Sequence, residues 1–162
     1  MSKGNVIVYY GEGKGKTTSA LGHAIRSASQ GKSVIIIQFL KGKNEDEISF
    51  IRRLEPEIKF FRFEKSQENF NLLSEEEKKE ESMNIKNGFN FAKKVLMTGE
   101  CNILILDEFL GLLDKHVITM EDLESLLQVK AEDTEIIFTG RVMDEKLKDY
   151  ADEIYKIQPE KM

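Results

Sequence analysis

The chain of 162 residues has no tryptophan, a single cysteine and two prolines. It also has no apolar run approaching the roughly 20 residues that span a bilayer. Cys101 has no partner for an internal disulfide, and with only His23 and His116 beside it in the inventory it builds no zinc site. Thiol catalysis and transition-metal chemistry on protein ligands are set aside on that ground. Positive charge is also short, with 24 Lys and Arg against 29 Asp and Glu, a net charge of −5. A general nucleic-acid binder needs the opposite balance to displace counterions from phosphates. The opening residues MSKGNVIVYYGEG lack the zones of a secretory signal. The expectation is a cytoplasmic protein with neither a membrane nor a nucleic-acid partner. With 40% hydrophobic and 33% charged residues, the composition is that of a folded globular chain, and the length predicts one domain over 1–162.

Short apolar runs rich in β-branched residues recur at Val6–Tyr10, Val34–Phe39, Ile58–Phe61, Ile103–Leu106 and Glu135–Thr139. They are nearly continuous rather than alternating, the pattern of strands buried on both faces of a parallel sheet. A weaker run, Glu153–Ile157, is expected at a sheet edge. Helical stretches lie between them: Lys16–Gln30, Glu75–Thr98, Met120–Val129 and a short one over Asp144–Tyr150. Ser74 with Glu77 forms a capping-box pattern, Gly99 follows the last turn, and Thr119 is a candidate N-cap. The charge run Glu75–Glu81 is read as a solvated helix face, and Gly22 as a site where the first helix packs closely on the sheet. Strands alternating with helices predict an α/β three-layer fold with a mostly parallel sheet of five or six strands.

The most informative segment is Gly11-Glu12-Gly13-Lys14-Gly15-Lys16-Thr17-Thr18, directly after a strand and directly opening a helix. Glycines let backbone N–H groups turn inward around an anion, and a helix N-terminus adds unsatisfied donors and a positive dipole end. Lys16 supplies a full charge for phosphate oxygens, and the Thr17 hydroxyl suits Mg²⁺. The Walker A pattern GxxxxGKT would place glycine at position 10, where this chain has Tyr10, so the loop is one residue short. A second element, the strand 102–106 ending in Asp107-Glu108, has the form of a Walker B segment. Ligands of parallel sheets sit outside the carboxyl ends of the strands, so these carboxylates can approach the loop and one can hold Mg²⁺ directly or through water. Lys41 and Arg141 follow two further strand ends and are candidates for phosphate contacts.

Taken together, these segments resemble the P-loop type ATP:corrinoid (cob(I)alamin) adenosyltransferase family. The likeness runs through YYGEGKGKTTSALGHAIRSASQGKSVIIIQFLKG at 9–42, LILDEFLGLL at 104–113 and IIFTGRVMDEKLKDYADEIYKI at 136–157. The short loop is the family's own form. The resemblance implies transfer of the 5′-deoxyadenosyl group of ATP to the cobalt of a reduced corrinoid, with triphosphate as leaving group. It implies ATP as co-substrate, Mg²⁺ (or Mn²⁺), a homodimer, and a reductase supplying the electron to cobalt. Lys16 and Arg141 would stabilise the triphosphate, residues 11–18 and Lys41 would bind the nucleotide, and Thr17 with Glu108 or Asp107 would hold the metal. The family has aromatic residues, often including Trp, after the third strand, pressing on the lower corrinoid face. This chain offers Phe70 there, for which core packing is the alternative role. Two other functions fit the loop alone: a P-loop kinase or ATPase, which would release ADP, and a nucleotide- or corrinoid-binding protein without efficient turnover.

Overall fold

The computed structural model describes residues 5–39, 49, 51–63 and 72–161. Six strands, β1 (Val6–Tyr10), β2 (Val34–Gln38), β3 (Ile58–Arg62), β4 (Ile103–Asp107), β5 (Glu135–Gly140) and β6 (Glu153–Lys156), form one sheet in the order β3-β2-β4-β5-β1-β6. Every adjacent pair is parallel. β6 is an edge strand, as its weaker apolar pattern suggests. The central strands are buried on both sides because each face meets helices. One apolar layer holds Ile7, Ile36, Ile105 and Ile137 against Ala20 and Ala24 of α1 (Lys16–Ser29). The alternate residues Val8, Ile35, Leu104 and Phe138 face the opposite layer. There they pack with Ile85, Phe89 and Ala92 of α2 (Glu75–Thr98) and with α3 (Leu110–Asp114) and α4 (Met120–Gln128). This is the three-layer arrangement expected from the alternation of strands and helices.

The caps follow the chemistry read from the sequence. Ser74 Oγ accepts from Glu77 N–H at 3.2 Å while the Glu77 carboxylate accepts from Ser74 N–H at 3.3 Å. Thr119 and Asp122 form the same reciprocal pair at 3.1 and 3.0 Å. The segment Glu145–Asp149 is a 3₁₀-helix, with the Asp144 carboxylate accepting from Lys146 N–H at 2.8 Å.

Two expectations are corrected. Gly22 does not let α1 approach the sheet: it is exposed, and a Cβ there would have nothing within 4 Å. The run Glu75–Glu81 is solvated only up to its last residue, because Glu81 has turned to the buried side of α2. Helix α3 has no counterpart in the sequence reading. It is five residues long, its N-cap Phe109 offers no side-chain hydrogen bond, and its LGLL run carries no polar positions to reveal a helical period. Among the described residues, no helix is long and apolar enough to cross a membrane.

Candidate nucleotide site

All six strands point their carboxyl ends to one side, which brings the ends of β1, β2, β4 and β5 beside the N-terminus of α1. Gly11, Gly13 and Gly15 all have positive φ, at 136°, 90° and 116°. Gly11 is demanded twice over, since a Cβ there would also lie 2.0 Å from the Ile157 carbonyl oxygen. The loop is anchored by Gly11 N–H donating to the Gly140 carbonyl at 3.2 Å. Residues beyond β6 lean on it, with Ile157 N–H donating to the Tyr10 carbonyl at 2.7 Å. Lys16 is buried, and its ammonium donates to the Gly13 carbonyl at 3.0 Å. The cation therefore lies inside the loop that its charge is meant to serve. Thr17 occupies the first turn of α1, with Lys14 exposed before it.

Opposite the loop, Asp107 closes β4 and is 1% exposed. A buried carboxylate is costly unless hydrogen-bonded, and here three side chains donate to it. Thr17 Oγ1 donates to Oδ1 at 2.9 Å, Thr139 Oγ1 to Oδ1 at 2.7 Å and Gln38 Nε2 to Oδ2 at 2.9 Å. The next residue, Glu108, takes a left-handed backbone, φ 62°, unusual for any residue but glycine, asparagine or aspartate. Its N–H donates to Thr139 Oγ1 at 2.8 Å. Arg141, just past β5, pairs with Glu12 at the tip of the loop at 2.8 Å, both side chains about two-thirds exposed at 68% and 65%. That guanidinium, hydrogen-bonded to the carboxylate, holds Glu12 below the usual Glu range.

Of the residues singled out from the sequence, the structure thus brings together 11–18, Asp107, Glu108 and Arg141. Lys41 and Phe70 lie outside the described residues. Gln38 and Thr139 belong to the site; they lie in segments that carry the family resemblance, but without charge they do not stand out there as site residues. The described aromatics at the carboxyl end of β3 are Phe61 and Phe63. Their rings lie 4.8 and 5.8 Å from that of Phe91 on α2, and Phe63 N–H donates to the Gln38 carbonyl at 3.1 Å. The alternation Phe61-Arg62-Phe63 is the signal that could have found them.

The donor set suits a hard divalent cation. A hydroxyl that gives its hydrogen to Asp107, as Thr17 does, has oxygen lone pairs to offer a metal, and Asp107 and Glu108 add carboxylates. Among the described residues no group of three or more His, Cys, Asp or Glu forms a cage for a metal. Two further reactive side chains, Cys101 and His23, lie away from this site. Cys101 is buried ahead of β4, with its thiol pushed up to about 12 chiefly by burial. His23 contacts Glu135 at the amino end of β5, at 2.6 Å.

A family model described as ATP:corrinoid adenosyltransferase BtuR/CobO/CobP matches residues 2–162. The chain belongs to this family. Its adenosyltransferase relatives include the corrinoid adenosyltransferase of Escherichia coli strain K12, 25% identical over an alignment 162 residues long, which covers 98% of this chain and 79% of that protein. Corrinoid adenosyltransferase CobA of Salmonella typhimurium strain LT2 is 28% identical over 159 residues, again 98% and 79% of the two chains. An uncharacterized protein of a Nostoc species, all2391, is 31% identical over 150 residues, but this chain spans only 39% of its length. The buried tie between Thr17 and Asp107 joins the loop to the carboxyl end of β4.

Proposed function

We propose that this chain transfers the 5′-deoxyadenosyl group of ATP to the cobalt of a reduced corrinoid, cob(I)alamin or a precursor, releasing triphosphate. The observation that carries this reading is a phosphate loop coupled through Thr17 to a buried carboxylate, in a member of the corrinoid adenosyltransferase family. A Co(I) centre is itself the nucleophile: its electron pair forms the Co–C5′ bond while the C5′–O bond breaks and its pair leaves on triphosphate. The protein then has to align C5′ with cobalt and stabilise charge on the leaving group.

Lys16 and Arg141 serve that charge, Arg141 by exchanging Glu12 for the triphosphate. Backbone N–H groups of 11–15, with Lys14, Thr17, Thr18 and Lys41, hold the phosphates. Thr17 and Glu108 hold Mg²⁺ (or Mn²⁺), with Asp107 behind them. The metal, when bound, neutralises negative charge shared between phosphate oxygens. The aromatic group Phe61, Phe63 and Phe91 suits the flat apolar macrocycle, with Phe70 as a further lower-face candidate. A homodimer, a cytoplasmic setting and a reductase as electron donor complete the reading, supported by the resemblance alone.

The test is anaerobic. Protein, Mg-ATP and chemically reduced cob(I)alamin should yield adenosylcobalamin and triphosphate in equal amounts as the Co(I) absorbance disappears. Formation of ADP and phosphate would instead make the site a phosphoryl-transfer centre. Corrinoid binding with ATP left intact would make the chain a binding protein.

A further inference from the structure

Gln38 and Thr139 stand in the segments shared with the family, but the charged residues beside them have drawn the functional reading. Both are buried, 6% and 0% exposed, and both spend their side-chain hydrogen bonds on the Asp107 carboxylate. With Thr17 they deliver donors from three different elements, β2, β5 and α1, to the end of a fourth, β4. Donors on both oxygens leave the carboxylate no freedom to rotate. This has two consequences. The Thr17 hydroxyl hydrogen is directed at Oδ1, so an oxygen lone pair is directed away from Asp107. Thr139 also accepts from Glu108 N–H at 2.8 Å, which secures the left-handed turn that launches the Glu108 side chain from the strand end.

We propose that Gln38 and Thr139 are positioning residues for the nucleotide-bound divalent cation. They touch neither ATP nor corrinoid. They lock Asp107 so that Thr17 and Glu108 meet the cation in a fixed arrangement. The uncharged residues of the QF and TG segments are thereby explained: Gln38 and Thr139 set the geometry that the neighbouring cations then exploit. The inference rests on the reading that the loop takes metal-bound ATP.

The experiment uses the full chain without corrinoid. Free Mn²⁺ is followed by electron paramagnetic resonance as it is titrated into protein and ATP, and ATP binding is measured separately with EDTA present. Wild type is compared with Thr139→Val, Thr139→Ser and Gln38→Met, each first checked for a cooperative thermal transition. Loss of a hydrogen bond to a charged group should raise the Mn²⁺ half-saturation of Thr139→Val by about tenfold or more. Metal-free ATP binding should change by less than about threefold, and Thr139→Ser should return to within about threefold of wild type. Gln38→Met should show a several-fold rise of the same kind. If Thr139→Val does not fold, Gln38→Met with Thr139→Ser carries the comparison. Variants that titrate like wild type, or that lose metal-free ATP binding by the same factor as metal binding, overturn the inference and leave the proposed function standing. Wild type that fails to bind Mn²⁺ with ATP overturns the inference and the metal-ATP reading beneath it.

Discussion

One substitution, glycine to alanine, should have opposite signs at two positions of the same loop–helix unit. Gly11 has φ +136°, and its Cβ would sit 2.0 Å from the Ile157 carbonyl oxygen and 3.0 Å from the carbonyl carbon. The neighbour is backbone, so no rotamer change relieves the contact. It lies between two hydrogen bonds, Gly11 N–H to Gly140 and Ile157 N–H to Tyr10, and at least one must stretch. A non-glycine residue in a sparsely populated conformation costs about 1–3 kcal/mol, and overpacking costs about 1–3 kcal/mol. A combined loss of about 3 kcal/mol corresponds, for a domain of this size, to a Tm lower by about 6–12 °C. Gly22, in contrast, lies exposed in mid-helix with nothing within 4 Å of its Cβ position. There alanine should gain about 0.5–1 kcal/mol of helix propensity and raise Tm by about 1–4 °C. Circular-dichroism melts of the two variants beside wild type decide the matter. A Gly11→Ala protein melting within about 2 °C of wild type would refute the placement of residues 157–159 on the loop.

Further outcomes follow from individual contacts. Lys16→Ala, which empties the loop of its buried ammonium, should lower single-turnover adenosyl transfer by about 10²–10³-fold, and an unchanged rate would remove Lys16 from the chemistry. The Glu12 carboxylate, hydrogen-bonded to Arg141, stays ionised below the ordinary Glu range. A carboxyl group whose pKa is lowered on folding adds stability above its unfolded value, and that contribution vanishes as pH falls through the lowered folded value. In Arg141→Met an NMR titration should therefore show Glu12 returning upward to the ordinary range, and an unmoved titration would mean the pair does not form. With its thiol at about 12, Cys101 should resist a disulfide reagent until the protein unfolds. Rapid stoichiometric labelling of native protein would contradict its burial.

What could be read from the sequence was what local chemistry dictates. The strands of a doubly covered sheet announce themselves as continuous β-branched runs, and β1, β2, β4 and β5 lie within a residue of the expected bounds. The capping box at Ser74 and the N-cap at Thr119 are local patterns within four residues, and both form, Thr119 as a capping box with Asp122. The phosphate loop could be read because its conformation requires glycines at fixed steps. What escaped depends on contacts distant in the chain. Gln38 and Asp107 are 69 residues apart, and Thr139 reaches Asp107 across 32. Nothing in the local sequence of a buried, uncharged Gln or Thr says which carboxylate it serves. Gly22 was misread for the same reason. Glycine in a helix is equally consistent with close packing and with none, and only the position of the sheet decides.

The shortened loop also has a physical reading in the sheet. β1 remains in register through Tyr10, which pairs with Gly140 of β5 on one side and Lys156 of β6 on the other. A strand residue held on both sides cannot serve as the first residue of a turn, so the turn is confined to residues 11–15. Lengthening it by one residue would push the loop outward, and on the β6 side that space is taken. Ile157 meets Gly11, and Pro159 Cδ would lie 3.3 Å from a Cβ at Gly13. The other flank is different in kind: there Thr17 meets Asp107, and Gln38 and Thr139 follow. The loop is therefore closed by backbone on one side and lined by fixed polar groups on the other. On the proposed reading, a phosphate chain entering the loop would have one flank on which to place its metal, and that asymmetry is set by the sheet and by residues 157–159.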